Sequence, residues 1–447
     1  MAERNKLFSE FPPVSTKEWT DRITADLKGE NFAEKLAWHT EEGITVMPFY
    51  RQEDLTGRGM AGYLPGEVPF LRGSSANGNC WLIRQDIEAG DFSLANARAA
   101  DILMKGVDSL GFIIRDPSSI SEEAIHTLLK GIHPESVELN FFSDGKAIEI
   151  LSYFISFVEK NNLRKEPVRG AVEADPLGRL FRSGKLCIPV EDGLNYLAEL
   201  SRLSLALPSF RTVNINGSWI SDAGADVVSE LAFSIAMGNE YLSVLTDRGL
   251  TSDQAASRIR FSFGTGPNYF FEIAKLRAAR LLWSVITAAY NPVNIANTRM
   301  EIHSVTGRWN KTEKNPYVNL LRTQTEVMSA VLGGANSVTA EPFDMTFRTA
   351  DDFSERIARN QQLLLREEAY FDKVADPAGG SWYIEKLTSM IAEKAWEIFA
   401  GIEKDGGFIA ALNSGLVESG MKKCREARAA GLSGREGLYG KGKGESS

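Results

Sequence analysis

The sequence predicts an α/β protein: a (β/α)8 TIM barrel with an N-terminal extended arm and C-terminal linker helices. Three observations carry this. Short β-branched segments alternate with amphipathic stretches from about Trp81 to about Phe371, the rhythm of repeated βα units. Eight such units fit in that span, as a closed barrel requires. Several of the strand segments alternate polar and apolar residues, although barrel strands covered by helices ordinarily read as apolar on both faces.

The expected strands are 81–87, 111–116, 137–143, 170–175, 212–217, 259–264, 299–305 and 337–343. Between them, stretches such as 121–131, 193–207, 269–289 and 352–370 repeat Leu, Ile, Ala and Phe three and four residues apart, which is helical spacing. Asp116-Pro117, Pro134, Asp144-Gly145 and Gly333-Gly334 punctuate the loops. In the fifth strand Thr212, Asn214 and Asn216 share one face. Arg299, Glu301 and His303 do so in the seventh, and Ser337, Thr339 and Glu341 in the eighth. Asn140, Glu173, Arg258 and Arg260 extend the pattern. A polar lumen follows, and it either admits a long ligand or ties its charges together internally, because unpaired buried charge is costly. In the second case Arg182, Arg258, Arg260 and Arg299 meet Asp86, Glu173, Glu301 or Glu341.

Residues 1–50 carry Phe8, Phe11, Pro12, Pro13, Trp19, Leu27 and Trp38 without a sheet pattern, and read as an arm that buries its aromatics on a partner. The barrel is assigned to 51–375. Residues 376–447 are assigned to linker helices, over 384–402 and 408–429, and a Gly- and charge-rich tail from Gly434.

Of the 447 residues, 43% are hydrophobic and 24% charged, a globular composition. Fifty Lys and Arg against 59 Asp and Glu give a net charge of -9, which argues against nucleic acid and anionic membranes as partners. No apolar run reaches the roughly 20 residues of a membrane helix, and the opening residues lack a signal-peptide core, so a cytoplasmic protein is expected. Cys80, Cys187 and Cys424 are scattered with no CxxC pair, and read as reduced structural thiols rather than a disulfide or zinc framework.

Four blocks in one order resemble the adenosylcobalamin-dependent acyl-CoA mutases, methylmalonyl-CoA mutase above all. Pro65-Gly-Glu-Val-Pro-Phe-Leu-Arg-Gly73 with Trp81-Leu-Ile-Arg-Gln85 is similar to that family's Pro-Gly-x-x-Pro-Phe-Thr-Arg-Gly block and Trp-Thr-Ile-Arg-Gln-Tyr strand. The others are Phe271-Glu-Ile-Ala-Lys-Leu-Arg-Ala-Ala-Arg-Leu-Leu-Trp283, Asp352-Phe-Ser-Glu-Arg-Ile-Ala-Arg-Asn360 and Lys373-Val-Ala-Asp-Pro-Ala-Gly-Gly-Ser-Trp-Tyr383.

The departures gather where the resemblance places substrate. Asn214-Ile-Asn-Gly-Ser-Trp-Ile-Ser-Asp-Ala-Gly-Ala225 matches a segment reading Ile-Ser-Gly-Tyr-His-Met-Gln-Glu-Ala-Gly, so Ser218 and Trp219 replace the Tyr-His pair. An indole offers only a donor N–H and cannot shuttle a proton as an imidazole does. Asp86 replaces the tyrosine that contacts the thioester side, and a carboxylate there repels a carboxylate substrate. The loop before Arg84 is shorter than the family's and lacks the run that grips coenzyme A. Arg84, Arg182, Arg258, His303, Asn336 and Ser337 match ligand-contacting positions and are expected to be vestigial. The Asp-x-His-x-x-Gly cobalt-ligand motif is absent: His39, His126, His133 and His303 all lie in other contexts.

The resemblance therefore implies a noncatalytic small subunit of a heterodimeric mutase that interconverts succinyl-CoA and methylmalonyl-CoA in propionate metabolism. The partner would be the methylmalonyl-CoA mutase large (alpha) subunit, which would hold adenosylcobalamin and the acyl-CoA substrate. No cofactor or metal is expected on this chain. Trp219 is expected to fill the space that the acyl group takes in catalytic relatives. Two rivals stand beside this reading. One is an active mutase barrel of changed specificity with a separate B12-binding subunit, in which Arg182, Arg258 and His303 are working groups. The other is a metal-dependent hydrolase using Glu301, His303 and Glu341.

Overall fold

The computed structural model describes residues 10–11, 13–55 and 62–432. The expected tail from Gly434, together with Phe8 and Pro12, lies outside them. A two-stranded antiparallel hairpin, β1 (Trp38–His39) and β2 (Thr45–Val46), precedes the barrel. Eight parallel strands then close on themselves: β3 (Leu82–Glu88), β4 (Ser109–Ile114), β5 (Glu138–Ser143), β6 (Arg169–Ala174), β7 (Ser209–Asn216), β8 (Ile259–Thr265), β9 (Ile302–Thr306) and β10 (Ser337–Thr339). β10 pairs with β3 through Ser337–Leu82, Val338–Ile83 and Thr339–Arg84, which completes the ring. All eight expected strands are present, although the seventh begins at Ile302 rather than Arg299.

Register decides which side chains enter the lumen. Arg84 aligns with Ser109 and Ser109 with Glu138; Asn214 aligns with Arg260, Ser262 with His303, and His303 with Ser337. The intervening residues point outward into the apolar layer. There Phe112, Phe141, Phe154 and Phe210 form a continuous buried aromatic chain with centroids 5.3–5.9 Å apart. Each such ring contributes about 1.5–3 kcal/mol by leaving water. Helix Ala147–Lys160 supplies Phe154 together with Ile150, Leu151 and Val158, the three- and four-residue spacing of one buried face. Caps set where the outer helices start. Asp91 accepts from Ser93 N and Leu94 N, Asp226 from Ser229 N, and Asp351 with Ser354 completes a reciprocal capping box.

The arm and the C-terminal region differ from the simplest expectation. Helices Thr16–Asp26 and Phe32–Leu36 form in the arm without burying a single residue. From the hairpin onward the chain packs on its own barrel: Ile44, Val46 and Tyr50 join the core, and Trp38 lies 5.6 Å from Phe271. Short sequence separations hid this, because two-residue strands leave no alternation to detect. Helix Trp382–Lys404 seats Leu387, Ile391, Ala395 and Phe399 in the same core. The helix expected over 408–429 is split at Gly415 into Phe408–Asn413 and Leu416–Leu432. Cys424 is buried as a structural thiol, whereas Cys80 and Cys187 are exposed. No described helix is long and apolar enough to cross a membrane.

Candidate functional site: a closed polar lumen

Two guanidinium groups and two carboxylates fill the middle of the barrel. Glu173 on β6 accepts from Arg84 Nη2 at 3.0 Å and pairs closely with Arg260. Arg84 also donates from Nε to Asp86 at 2.8 Å and stacks over Phe142, 4.8 Å from its centroid. Arg260 donates to Asn140 Oδ1 at 2.8 Å and lies 3.7 Å from Glu138. Glu138 in turn accepts from Ser109 Oγ at 2.8 Å and Asn140 Nδ2 at 3.2 Å. Side-chain exposures of 0% for Arg84, 2% for Arg260, 4% for Glu173 and 3% for Glu138 mean that water does not reach these four groups, whereas Asp86 is 29% exposed.

Backbone choice makes the layer possible. A Cβ on Gly111 would lie 1.9 Å from Asp86 Oδ1 and 3.0 Å from Arg84 Nη2, so only glycine at this point of β4 leaves room for the pair. Burial acts to depress the Arg84 pKa, but Asp86 and Glu173 outweigh it and the group ends more firmly cationic than usual. Burial likewise acts to raise Glu138, yet Arg260 and Arg84 hold it below its ordinary value. Both remain ionised, as a paired network requires.

His303 sits in this lumen with both ring nitrogens occupied, Nδ1 by Ser337 Oγ at 2.8 Å and Nε2 by Thr339 Oγ1 at 3.3 Å. Burial, reinforced by Arg84 and Arg260, pushes its pKa well below the usual value, so the imidazole is neutral. The lumen thus gathers three of the six expected contact residues: Arg84, His303 and Ser337.

The other three lie elsewhere. Arg258 precedes β8 at the N-terminal rim and donates to the carbonyls of Ser204, Leu207, Phe210 and Pro208 at 2.6–3.1 Å. Asn336 precedes β10, accepts from Ile302 N at 2.9 Å and donates to Ser74 Oγ at 3.0 Å, in a rim groove shared with Arg72, Asn79 and Arg280. Arg182 is exposed on helix Pro176–Ser183 at the C-terminal mouth, its guanidinium 5.0 Å from the Trp219 ring centroid.

Ser218 and Trp219 occupy the first turn of helix Gly217–Asp222, directly after β7. Gly217 permits that turn, since a Cβ there would meet Ser234 Oγ at 2.5 Å and Phe263 at 3.1 Å. The strand end is fixed by Asp175, which accepts both Asn216 N and Nδ2 at 3.0 Å and the Tyr241 hydroxyl at 2.6 Å. Nearby, Arg308 pairs with Glu341 at 2.6 Å, and burial raises the Glu341 pKa.

Several expected pairings are corrected by this arrangement. Of the proposed arginine–carboxylate partners only Arg260 and Glu173 meet. Arg299 stacks on Phe70, 5.4 Å from its centroid, because its strand starts three residues later than expected. Glu301 binds Arg211 at 3.1 Å on the rim. Thr212 bonds Ser201 on the outer helix Val190–Leu203 at 2.9 Å, since both Thr212 N and Val213 N reach Arg258 O and the alternation slips there. Glu138 was missed, although its spacing of two from Asn140 puts it on the same face. Glu301, His303 and Glu341 bind separate partners, and among the described residues no group of three His, Cys, Asp or Glu could hold a metal.

The fold and site define a (β/α)8 barrel whose lumen is tied shut by its own side chains. Residues 39–124 and 118–439 match the methylmalonyl-CoA mutase family model, and the chain belongs to that family. It is 44% identical to the methylmalonyl-CoA mutase small subunit of Porphyromonas gingivalis, over 98% of this chain and 70% of that protein. It is 34% identical to the small subunit of Streptomyces virginiae, over 92% and 67%. The mitochondrial methylmalonyl-CoA mutase of Homo sapiens is 33% identical, over 95% of this chain and 60% of its own length.

Adenosylcobalamin, the cofactor implied by the family resemblance, does not fit the histidines of this barrel. His303 is held on both nitrogens inside the lumen, His39 bonds Thr45 on the hairpin, and His126 lies on the outer helix Glu122–Leu128. His133 follows that helix on the barrel's outside.

Proposed function

We propose that this chain is the noncatalytic small subunit of a heterodimeric, adenosylcobalamin-dependent methylmalonyl-CoA mutase. Its role is to support a catalytic large subunit that binds the cofactor and interconverts succinyl-CoA and methylmalonyl-CoA. The observation that carries the reading is the sealed Arg84–Glu173–Arg260 layer, which takes up the barrel axis where a long acyl-CoA would have to thread. The neutral, doubly bonded His303 has no nitrogen left for substrate. Ser218 and Trp219 supply neither the acid nor the base of the family's Tyr-His pair. Arg84, Arg182, Arg258, His303, Asn336 and Ser337 are accordingly vestigial as contacts, and Trp219, roofed by Arg182, fills acyl space.

In this reading the arm of residues 1–50 engages the partner through the stretch ahead of the hairpin, since from there on it packs on its own barrel. None of the residues of its helix Thr16–Asp26 is fully buried, and Trp19 is presented in a stack with Phe49 at 4.6 Å. Residues 51–375 form the barrel and 376–447 the C-terminal helices and tail. The test is reconstitution with the large subunit. A one-to-one complex is expected whose turnover vanishes when the Tyr-His pair of the large subunit is replaced and is unchanged by Trp219→Ala here. Loss of turnover with Trp219→Ala in an intact complex would favour the active-barrel reading.

A further inference from the structure

The end of β8 and the loops after β8 and β9 are fastened from beneath by carboxylates sealed between barrel and outer helices. Glu230, on helix Val227–Asp247, accepts Gly264 N–H at 2.7 Å and lies 2.6 Å from Lys275 Nζ. Glu272, on helix Tyr269–Ala288, accepts Gly266 N–H at 2.9 Å and lies 2.6 Å from the same ammonium. Lys275 also donates to Gly264 O at 2.5 Å. One loop further on, Glu326 of helix Val318–Leu332 accepts from Lys311 Nζ at 2.6 Å and Asn310 Nδ2 at 2.7 Å.

These five charged side chains are between 0% and 6% exposed. Glu230 and Glu272 therefore share one ammonium where water is excluded, while Glu326 has Lys311, and the surplus negative charge has no counter-ion within the cluster. The two halves sense each other, since Glu272 raises the pKa of Glu326. Asp222 and Arg322 also face the cluster, both acting on Lys311. Arg308 and Arg428 act on Asp222 in turn. Burial first, and then the neighbouring Glu272, lift Glu230 to about 7 despite Lys275; burial lifts Glu326 to about 7 despite Lys311.

Trp309 links this cluster to the C-terminal helix. Its ring packs beside Gly266, where a Cβ would come within 3.8 Å of the indole nitrogen. The Arg428 guanidinium of helix Leu416–Leu432 lies 4.2 Å from the ring centroid and donates to Ala225 O at 2.7 Å. The C-terminal helix is thereby held to a tryptophan standing on the two loops that the carboxylates fasten.

We propose that the end of β8, the β8 and β9 loops and the Trp309–Arg428 contact form one protonation-dependent latch, closed while Glu230 holds a proton beside Glu272 on the one ammonium of Lys275, and loosened when that proton leaves to solvent. Two ionised carboxylates on one buried ammonium must then draw in water, which pulls on Gly264 or Gly266 and shifts the Trp309 ring beside them.

Amide hydrogen exchange on the full chain between about pH 6 and about pH 9, corrected for intrinsic exchange, tests this. Protection at Gly264, Gly266 and 416–430 is expected to fall at least about tenfold around neutrality, with β5 unchanged. In Glu230→Gln, which matches two carboxylates to two lysines, the step should disappear with the latch closed throughout. A flat profile in the unmodified chain, or an undiminished step in folded Glu230→Gln, overturns the proposal. Should that variant fail to fold, isotope-edited infrared on the unmodified chain decides. A protonated glutamic acid carbonyl band at neutral pH that titrates away on alkalinisation supports the latch, and its absence refutes it.

Discussion

Replacing Glu173 by alanine removes the one carboxylate that both lumen arginines share. Arg84 would keep Asp86 at 2.8 Å, while Arg260 would keep Glu138 at 3.7 Å and the amide oxygens of Asn140 and Asn214. At an effective dielectric of about 20, a pair 3.0 Å apart is worth about 5 kcal/mol. Two such pairs are lost, and the carboxylate's own desolvation cost, several kcal/mol, is recovered. The net is an expected destabilisation of about 3–5 kcal/mol, the range for breaking a buried ion pair from one side. Unfolding entropy near 2.1 cal/mol/K per residue gives roughly 0.9 kcal/mol/K for 447 residues, so Tm should drop by about 3–5 °C. Scanning calorimetry and the urea midpoint on the same preparation measure it. A Tm within about 1 °C of the unmodified chain would mean that the arginines do not depend on Glu173, and the account of the closed lumen would fail.

Arg258→Ala takes a donor from four carbonyls around residues 204–210, of which Ser204 and Leu207 keep the N–H groups of Leu207 and Phe210, at about 1–3 kcal/mol for each one left unpaired where water cannot reach; Arg258→Lys should not restore the loss, because an ammonium cannot span them. Both are read from urea midpoints. Gly111→Ala drives a Cβ into the Arg84–Asp86 pair and should destabilise by about 1–3 kcal/mol, whereas alanine at exposed Gly90 should not. Stability should also depend on pH through Glu230 and Glu326. Their folded pKa values, about 7, exceed the ordinary 4.5, so the folded state holds these protons more tightly. That contribution is fully present below 4.5 and is lost as pH rises through about 7. Urea midpoints across this window should fall with rising pH, and less steeply in Glu230→Gln; an equal slope in both would contradict the assignment.

Hydrophobic rhythm was enough to locate all eight strands, because β-branched runs bounded by turn residues and long amphipathic stretches each leave a periodic trace. Polarity on one strand face likewise announced a polar lumen. Partner choice was not legible. Arg84 and Arg260 meet over Glu173 only because the barrel closes β3 to β10 and brings β6 opposite, a contact across 89 residues of chain for Arg84. Arg258 and Arg299 read as lumen residues because alternation was carried past the strand ends, where the rim takes over. The hairpin of β1 and β2 was invisible for want of length. The Ser218–Trp219 substitution was legible by resemblance alone, since nothing in its composition marks a missing acid–base pair.

The most direct test of the central claim is calorimetric titration of the isolated, folded chain with methylmalonyl-CoA and succinyl-CoA. The closed Arg84–Glu173–Arg260 layer predicts no binding heat for either thioester, with or without adenosylcobalamin present. Saturable binding at micromolar concentration, abolished by substitution of His303 or Arg84 in chains that remain folded, would contradict it and make this barrel a working acyl-CoA site.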